Sequence, residues 1–227
     1  MKAAFLYSGG LDSTIGIAML LEHGYEVYPI IMDDGSTKNE LKLIPAVEYW
    51  MGHFGLQRNL IKAKYLNKEE IRGDNGYVPG WKLTMIMTAF AYCESLGINN
   101  LYLGYLNDDR FPYSDEGPEA FDSMSNFYEM IYGKRIEIRT LMNFTKSEII
   151  QWAMERNMPL EMTFSCRQVV VAGITHCGRC DVCKMRYKAF EDAGYKDPAY
   201  YVTLDHIHEP LKGGQRLGYE GRKIKNL

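Results

Sequence analysis

The stretch that decides the fold is Ser8-Gly9-Gly10-Leu11-Asp12-Ser13, which follows the short apolar run 3–7 and leads into a helix-like stretch at residues 13–23. This order predicts a strand, a glycine-rich loop and a helix. Two adjacent glycines let the main chain turn tightly and present bare N–H groups to an anion, and the start of the helix adds its own unpaired amides. We therefore interpret the loop as a pyrophosphate-binding site. The simpler alternative is a Gly-Gly turn with a serine helix cap.

The polar side chains of the loop agree with a phosphate ligand. The hydroxyls of Ser8 and Ser13 can donate hydrogen bonds to phosphate oxygens, whereas the carboxylate of Asp12 needs a cation such as Mg²⁺ between itself and a phosphate. The chain contains no Gly-x-x-x-x-Gly-Lys-Ser/Thr sequence, and no Gly-x-Gly-x-x-Gly follows a strand. These absences argue against a Walker-type NTPase and against a dinucleotide-binding Rossmann domain.

The second informative feature is a group of cysteines near the other end of the chain. Cys166 is followed by Cys177-Gly-Arg-Cys180-Asp-Val-Cys183, so four of the five cysteines fall here. Two overlapping Cys-x-x-Cys steps and a distant fourth thiolate suit a closed, structural, tetrahedral zinc site. An iron–sulfur cluster and a disulfide or redox pair are alternatives, and His176 can replace Cys166 as a ligand. Cys93 lies in an apolar helical stretch and is predicted to be a core residue.

The rest of the chain alternates between strand-like and helix-like stretches. Apolar runs at 3–7, 26–32, 59–63 and 100–104 alternate with helical patterns at 13–23, 39–54 and 83–96. Such alternation predicts an α/β fold with a parallel sheet. Gly24, Gly55 and Gly97 follow three of these helices, where they are expected as C-terminal caps. A helix near 145–156 and the cysteine segment are expected to pack over the carboxyl edge of the sheet, where open α/β sheets bind ligands.

Composition predicts one soluble domain. The chain has 227 residues, a formal net charge of −3, and too short an apolar start for a signal peptide or a membrane span. Reduced thiols at a zinc site predict the cytoplasm, with no membrane association. The stretch 212–227 carries five basic residues against one acidic residue. We interpret it as a flexible solvated tail, with contact to an acidic partner, a nucleic acid or the phosphates of ATP as the alternative.

Taken together, these motifs resemble a known family. The loop resembles the SGGxDS loop of the N-type ATP pyrophosphatases, which split ATP between its α and β phosphates to activate a substrate as its adenylate. The Ser-Cys pair at Cys166, the run His-Cys-Gly-x-Cys-x-x-Cys from His176, and then Arg186 and Ala189-Phe190 are similar to the 7-cyano-7-deazaguanine synthase (QueC) family, over about residues 3–201. The resemblance implies a Rossmann-like adenine nucleotide alpha hydrolase fold with helices on both faces of the sheet. It also implies an ATP pyrophosphatase core at 1–160 and a four-cysteine zinc segment with its helix at 161–201, leaving 202–227 as a basic tail.

The resemblance also implies an activity and a set of site residues. ATP would adenylate 7-carboxy-7-deazaguanine, ammonia would convert the adenylate to an amide, and a second activation would dehydrate the amide to the nitrile preQ0. A homodimer, Mg²⁺ and a structural Zn²⁺ are expected. From the residue chemistry and the resemblance together, we predict these site residues: Ser8, Gly9, Gly10, Leu11, Asp12 and Ser13 for ATP; Asp12 and Lys82 for catalysis; Trp81, Asp109, Tyr113 and Asp115 for the substrate; and Cys166, Cys177, Cys180 and Cys183 for zinc.

Three segments depart from the family pattern. Trp81-Lys82 replaces Arg-Asn, Glu116-Gly117 replaces Cys-Arg, and the stretch 33–40 replaces Gln-x-His-x-x-Glu. We expect the Lys82 ammonium to face phosphate and Trp81 to stack on a base. The alternatives are that Lys82 lies on the exposed face of its helix and that Trp81 packs into the core. Two alternative functions follow from these departures. One is a QueC-like ligase that transfers the acyl group to another amine on a small molecule, peptide or protein, and the other is a zinc-containing module that binds nucleic acid or protein.

Overall fold

The fold is built on a five-stranded parallel sheet with the strand order β3-β2-β1-β4-β5. The computed structural model describes residues 1–33, 44–65, 78–109, 114–168 and 174–202. The strands of the sheet are β1 (Lys2–Leu6), β2 (Glu26–Asp33), β3 (Ile61–Lys64), β4 (Asn100–Leu106) and β5 (Glu137–Leu141). All neighbouring strands in this sheet pair in parallel, so their carboxyl ends lie along one edge.

Helices connect these strands, and a small second sheet lies near the C-terminus. The helices are α1 (Leu11–Glu22), α2 (Ile44–Phe54), α3 (Trp81–Leu96), α4 (Pro118–Tyr132), α5 (Lys146–Glu155) and α6 (Asp181–Asp192). A short 3₁₀ helix covers Leu160–Met162, and the second sheet pairs β6 (Thr175–His176) with β7 (Tyr200–Tyr201). No helix in the described ranges is long and apolar enough to cross a membrane.

The sheet is buried on both faces because successive side chains of a strand point to opposite sides. Phe5 of β1 packs into a core that includes Ile15 of α1 and Trp50 of α2. Its neighbour Ala4 belongs to a second core, which includes Phe90 of α3. The predicted α/β fold, with a parallel sheet and helices on both faces, is therefore confirmed.

The segment after residue 160 packs against the first of these cores. Phe190 of α6 is buried in the same core as Phe5, and the main-chain N–H of Phe164 donates to the carbonyl of Gly9, with an N–O distance of 2.9 Å. The cysteine segment thus lies directly against the glycine-rich loop. The division of the chain at residues 160 and 201 stays a prediction, and residues 203–227 lie outside the described part.

Most predicted elements are confirmed within two residues at each end, and the differences are local. The helix predicted at 83–96 begins at Trp81, and of the helix predicted at 39–54 only residues from Ile44 onward are described. Gly24, Gly55 and Gly97 all have positive φ angles of 65° to 77°, as the predicted caps require. Helix α4 and strand β5 were not predicted.

Candidate active site

The glycine-rich loop lies between the carboxyl end of β1 and the first turn of α1. Gly9 has a φ of 67°, which a residue with a side chain rarely adopts. The hydroxyls of Ser8 and Ser13 lie 3.1 Å apart across the loop, so both reach the same space. Gly104 of β4 approaches the start of α1 so closely that a Cβ there would lie 3.2 Å from the Ser13 nitrogen. The loop is therefore tightly held against the neighbouring strand, with the N-terminus of α1 behind it.

Lys146 supplies a cation to this loop. Its Nζ donates a hydrogen bond to Oδ2 of Asp12 at 2.9 Å, and the two side chains are only 13% and 26% exposed. Burial acts to lower the pKa of Lys146, but the charge and hydrogen bond of Asp12, together with the charge of Asp109, outweigh burial and raise this pKa. Lys146 is thus an ammonium at neutral pH, placed beside the predicted phosphate site.

Lys146 was not among the residues predicted from the sequence. The signal that could have found it is the capping box at the start of α5, where the side chain of Thr145 accepts from the amide of Glu148 and the Glu148 carboxylate accepts from the amide of Thr145. That motif fixes Lys146 as the first residue of a helix that begins just beyond β5. Such a residue lies at the carboxyl edge of the sheet, next to the loop.

The second carboxylate oxygen of Asp12 is the feature that points to a metal ion. Oδ1 is buried and finds no hydrogen-bond partner in the described part of the chain. Leaving a buried carboxylate oxygen unpaired is unfavourable. An oxygen ligand of this kind suits Mg²⁺, so the donor set fits the cation that the sequence predicts.

Two further carboxylates surround Lys146. Asp108 accepts from the main-chain N–H of Lys146 at 3.1 Å, and Asp109 accepts from the main-chain N–H of Leu106 at 2.8 Å. Burial raises the pKa of Asp109, and the amide of Leu106 and the charge of Lys146 oppose that rise only in part. Asp109, predicted to bind substrate, therefore lies on the side of the loop where Asp12 and Lys146 meet.

The start of α3 brings together the other predicted substrate residues. The main-chain N–H of Lys82 donates to Oδ2 of Asp115 at 3.1 Å, so Asp115 caps the first turn of the helix. The Lys82 ammonium lies 3.8 Å from Oε1 of Glu116 and 5.3 Å from the centre of the Tyr105 ring. The hydroxyl of Tyr105 donates to the same oxygen of Glu116 at 3.0 Å. We call Lys82, Tyr105 and Glu116 the Glu116 triad.

Trp81 is held by an aromatic neighbour from the far edge of the sheet. Its ring meets the ring of Tyr65 edge-on, with centroids 4.6 Å apart, and the Tyr65 hydroxyl donates to the Trp81 carbonyl at 2.9 Å. Tyr65 follows β3 directly, so these groups also lie at the carboxyl edge. Tyr113, the remaining predicted substrate residue, lies outside the described residues.

The four predicted zinc ligands converge. The Sγ atoms of Cys166, Cys177, Cys180 and Cys183 all lie within 4.8 Å of one another, and three of the four residues are buried. A tetrahedral ion with metal–sulfur bonds of about 2.3 Å has sulfur–sulfur edges of about 3.8 Å. The measured separations of 4.0 Å for Cys166–Cys180 and 3.9 Å for Cys177–Cys183 agree with a single ion. This cysteine cluster can therefore hold a metal ion.

Main-chain amides support the cluster from outside. The N–H groups of Gln168 and Cys177 each donate to Sγ of Cys166 at 3.3 Å, and that of Cys180 donates to Sγ of Cys177 at 3.3 Å. A hydrogen bond from Cys183, together with the amides of Cys177 and Gln168, outweighs burial and lowers the pKa of Cys166. Nε2 of His176 accepts from the amide of Ser165, so the cysteine Cys166, rather than this histidine, completes the cluster.

A buried ion pair ties the cluster to the loop. Arg186 of α6 donates to both carboxylate oxygens of Asp197, at 2.8 and 3.1 Å, and the two side chains are 1% and 0% exposed. Its remaining N–H groups donate to Oγ1 of Thr163 and to the carbonyl of Leu160. The residue after Thr163 is Phe164, whose amide bonds to Gly9, so the ion pair supports the main chain that holds the loop.

Comparison with known proteins identifies relatives along nearly the whole chain. The model of the family "Queuosine biosynthesis protein QueC" matches residues 2–194. The 7-cyano-7-deazaguanine synthase of Thermoplasma volcanium is 31% identical over 233 residues, which cover 91% of this chain and 93% of that protein. The proteins of the same name from Cellvibrio japonicus and Geobacter sulfurreducens are 33% and 32% identical and cover 88% and 96% of this chain, and 98% and 96% of their own lengths.

Solved structures with a similar fold are more distant. A 4-thiouridine synthetase in complex with RNA and bound ATP has a TM-score of 0.46 and 19% identity, covering 71% of this chain and 42% of that one. The U34-tRNA thiolase NcsA from Methanococcus maripaludis has a TM-score of 0.41 and 15% identity, covering 88% of this chain and 84% of that one. Both TM-scores are low, so the assignment rests on the family model and the sequence relatives. On their strength, the chain belongs to the QueC family of queuosine biosynthesis proteins.

Proposed function

We propose that this QueC-family enzyme uses ATP to activate 7-carboxy-7-deazaguanine and converts it with ammonia to 7-cyano-7-deazaguanine. The observation that carries the proposal is the Asp12–Lys146 pair beside the Ser8–Ser13 loop, in a chain that matches 7-cyano-7-deazaguanine synthases over most of their lengths. A loop that binds pyrophosphate, a carboxylate that can hold Mg²⁺ and a buried ammonium are the groups that an adenylating enzyme needs.

Activation is needed because a carboxylate is a poor electrophile. Its leaving group would be oxide, whereas the adenylate offers a phosphate leaving group. The task of the protein is then to hold ATP and the carboxylate together and to neutralise the charge that develops on the departing pyrophosphate. In our proposal the main-chain amides and hydroxyls of Ser8, Gly9, Gly10, Leu11 and Ser13 bind the phosphates, supported by the N-terminus of α1.

Asp12 and Lys146 act on the same phosphates in different ways. The unpaired Oδ1 makes Asp12 the residue that would hold Mg²⁺, and the ion would supply positive charge near the phosphate oxygens. Lys146 keeps one N–H on Asp12 and directs its remaining N–H groups to the pyrophosphate. Because this ammonium is fixed before ATP binds, it stabilises the developing charge without reorganising. The participation of Lys82, whose ammonium lies beside Glu116, remains a prediction.

The substrate is proposed to bind along the carboxyl edge between the loop and the start of α3. Trp81 offers an aromatic face for the base, and Asp109 lies close to Asp12 and Lys146, where the reacting carboxylate must sit. Asp115 and Tyr113 complete the predicted set of substrate residues. Ammonia as the acceptor and a homodimeric state follow from the resemblance and remain part of the proposal.

The cysteine cluster is proposed to hold a structural Zn²⁺. Its four sulfurs are spaced for one ion, which favours a single metal over a larger iron–sulfur cluster. The ion would fix the segment that carries Thr163 and Phe164, and thereby the main chain against Gly9. Its contribution is to the position of the loop, and no chemical step passes through it.

Mass spectrometry tests the proposed reaction. The purified protein is incubated with Mg²⁺, ATP and 7-carboxy-7-deazaguanine, with and without ammonium. The proposal predicts the amide and then the nitrile, with AMP and pyrophosphate as co-products, and no turnover by Asp12→Asn. The matched control Asp192→Asn changes an exposed aspartate on α6 and should be fully active.

The outcomes separate the candidate functions. Pyrophosphate and an adenylate without nitrile would indicate transfer to a different amine, and no turnover of ATP would refute the proposal. A zinc-containing binding module would instead bind its nucleic acid or protein partner in the absence of ATP. The relatives do not favour either alternative.

A further inference from the structure

Glu116 is a carboxylate held in place by side chains alone. Its Oε1 accepts from the Tyr105 hydroxyl at 3.0 Å and lies 3.8 Å from the Lys82 ammonium, and the side chain is 16% exposed. Asp115 and Asp109, by contrast, each accept from a main-chain amide and thereby cap a helix and a turn. Of the three carboxylates, Glu116 is the one whose described contacts do not serve the local backbone.

The second oxygen of Glu116 is available to a ligand. Oε2 accepts no hydrogen bond from the residues that the structure describes, while Oε1 is fixed by Tyr105 and Lys82. Burial and the charge of Glu116 raise the pKa of Tyr105, so its hydroxyl remains protonated and continues to donate. The Lys82 ammonium balances the negative charge. The triad therefore presents an oriented carboxylate with one oxygen open.

The triad lies next to the candidate ATP site. Tyr105 immediately follows Gly104, whose backbone packs against Ser13 of the loop. Successive residues of a strand face opposite sides, so Tyr105 faces α3 and α4 while Gly104 faces α1. A planar substrate whose carboxylate lies near Asp12 and Lys146 can thus extend along the edge of the sheet toward Glu116 and Trp81.

A guanine-like base presents the edge that such a carboxylate accepts. Its ring N–H and its exocyclic amine are adjacent donors that point in the same direction, and an ionised carboxylate is an acceptor only. We propose that Glu116 reads this N–H edge of the deazaguanine and so determines substrate specificity in the adenylation step, with Tyr105 and Lys82 as its positioning residues. The inference rests on the proposed function and names the residue that recognises the base.

The test compares the substrate with an analogue that lacks the exocyclic amine, 7-carboxy-7-deazahypoxanthine. Pyrophosphate release is measured with both, and the readout is the ratio of the two kcat/KM values. We expect the wild-type enzyme to favour the substrate by about 10-fold to 100-fold, as for other paired hydrogen bonds to a base edge. Glu116→Gln should lower this ratio at least about 5-fold and leave the KM for ATP unchanged.

Two further variants make the result specific. Glu119→Gln removes the same charge from an exposed residue of α4 and should keep the wild-type ratio. Tyr105→Phe keeps the ring but loses the hydroxyl that holds Glu116, so its ratio should fall between those of the wild type and Glu116→Gln. If Glu116→Gln does not fold, as judged by metal content and thermal melting, Tyr105→Phe decides the question.

Each outcome bears on the inference. If Glu116→Gln has the same ratio of kcat/KM values as the wild type, the role of Glu116 is overturned and the proposed function is left intact. Where Glu116→Gln does not fold, the same conclusion follows from an unchanged ratio in Tyr105→Phe. If the wild-type enzyme releases no pyrophosphate with 7-carboxy-7-deazaguanine, both the proposed function and this inference fail. A reduced ratio in Glu116→Gln with an unchanged ratio in Glu119→Gln would support the inference.

Discussion

Replacing Lys146 by methionine tests the central claim about the loop, because the chain contains a matched pair elsewhere. Lys146–Asp12 and Lys188–Asp192 both have an N–O distance of 2.9 Å. The lysine and aspartate side chains are 13% and 26% exposed in the first pair but 71% and 52% exposed in the second. Because the N–O distance is the same in both pairs, a difference between the two substitutions reflects the burial and the position of the pair.

The two substitutions should differ in both stability and activity. Lys146→Met leaves the partly buried carboxylate of Asp12 without its cation, which should lower the free energy of unfolding by about 1–3 kcal/mol. Removing one preorganised donor from a developing oxyanion typically lowers kcat by about 100-fold to 1,000-fold. Lys188→Met breaks a solvent-exposed pair on α6, so both stability and turnover should stay close to those of the wild type.

Urea unfolding and pyrophosphate release at saturating ATP measure these quantities. Lys146→Met should show the lower unfolding midpoint and the large loss of kcat, with the metal content of the cysteine cluster unchanged. Turnover of Lys146→Met within about tenfold of the wild type would refute the role of Lys146 at the phosphate loop. Equal stability and turnover in the two lysine variants would also refute it, since burial and position would then have no effect.

Three other predictions concern the metal sites and the buried ion pair. Asp12→Asn should reduce pyrophosphate release at least about 100-fold without loss of the cysteine-bound metal, as elemental analysis can show, and full activity would contradict the assignment of Asp12 to Mg²⁺. Cys183→Ser should lose bound zinc and lower the melting temperature, whereas one zinc per chain in that variant would argue against a four-cysteine site. Arg186→Met should lower the free energy of unfolding by about 3–5 kcal/mol, because Asp197 is left buried and unpaired. Arg156→Met, which breaks an exposed pair, should have a much smaller effect. Burial alone would raise the pKa of Asp197, but Arg186 outweighs burial and lowers it in the wild type. In Arg186→Met the carboxyl keeps the pKa raised by burial, so the difference in stability from the wild type should be largest at high pH and should shrink as the pH falls below that raised pKa, where the unpaired carboxyl is protonated.

The features that could be predicted from the sequence are those whose signal is local. The glycine pair with its flanking strand and helix, and the spacing of the cysteines, each fall within about 20 residues. The sheet and its helices could be predicted for the same reason, because each apolar run and each helical pattern is a local feature of the sequence. Strand β5 was missed because its sequence, Glu-Ile-Arg-Thr-Leu, has only two apolar residues among five and lies at the edge of the sheet, so it does not form a buried apolar run.

Contacts between distant parts of the chain could not be predicted in this way. Asp12 and Lys146 are 134 residues apart and meet only because β1 and β5 both end at the same edge of the sheet. Lys82 and Glu116 depart from the family pattern in separate segments, and the sequence gives no sign that they touch. Their contact depends on the start of α3 lying over β4, which is a property of the packed structure.

That contact changes how the departures should be interpreted. Taken singly, the loss of two arginines suggests that the site has lost positive charge needed by phosphate. The structure shows that Lys82 and Glu116 offset each other beside Tyr105, while a separate ammonium, Lys146, lies on Asp12 at the loop. The departures at Lys82 and Glu116 therefore affect the region proposed to hold the base, and the cation at the phosphate loop does not depend on them, while residues 34–40 of the third departure lie outside the described residues. In the proposed function these changes therefore concern how the base is held, and the groups that activate its carboxylate stay in place.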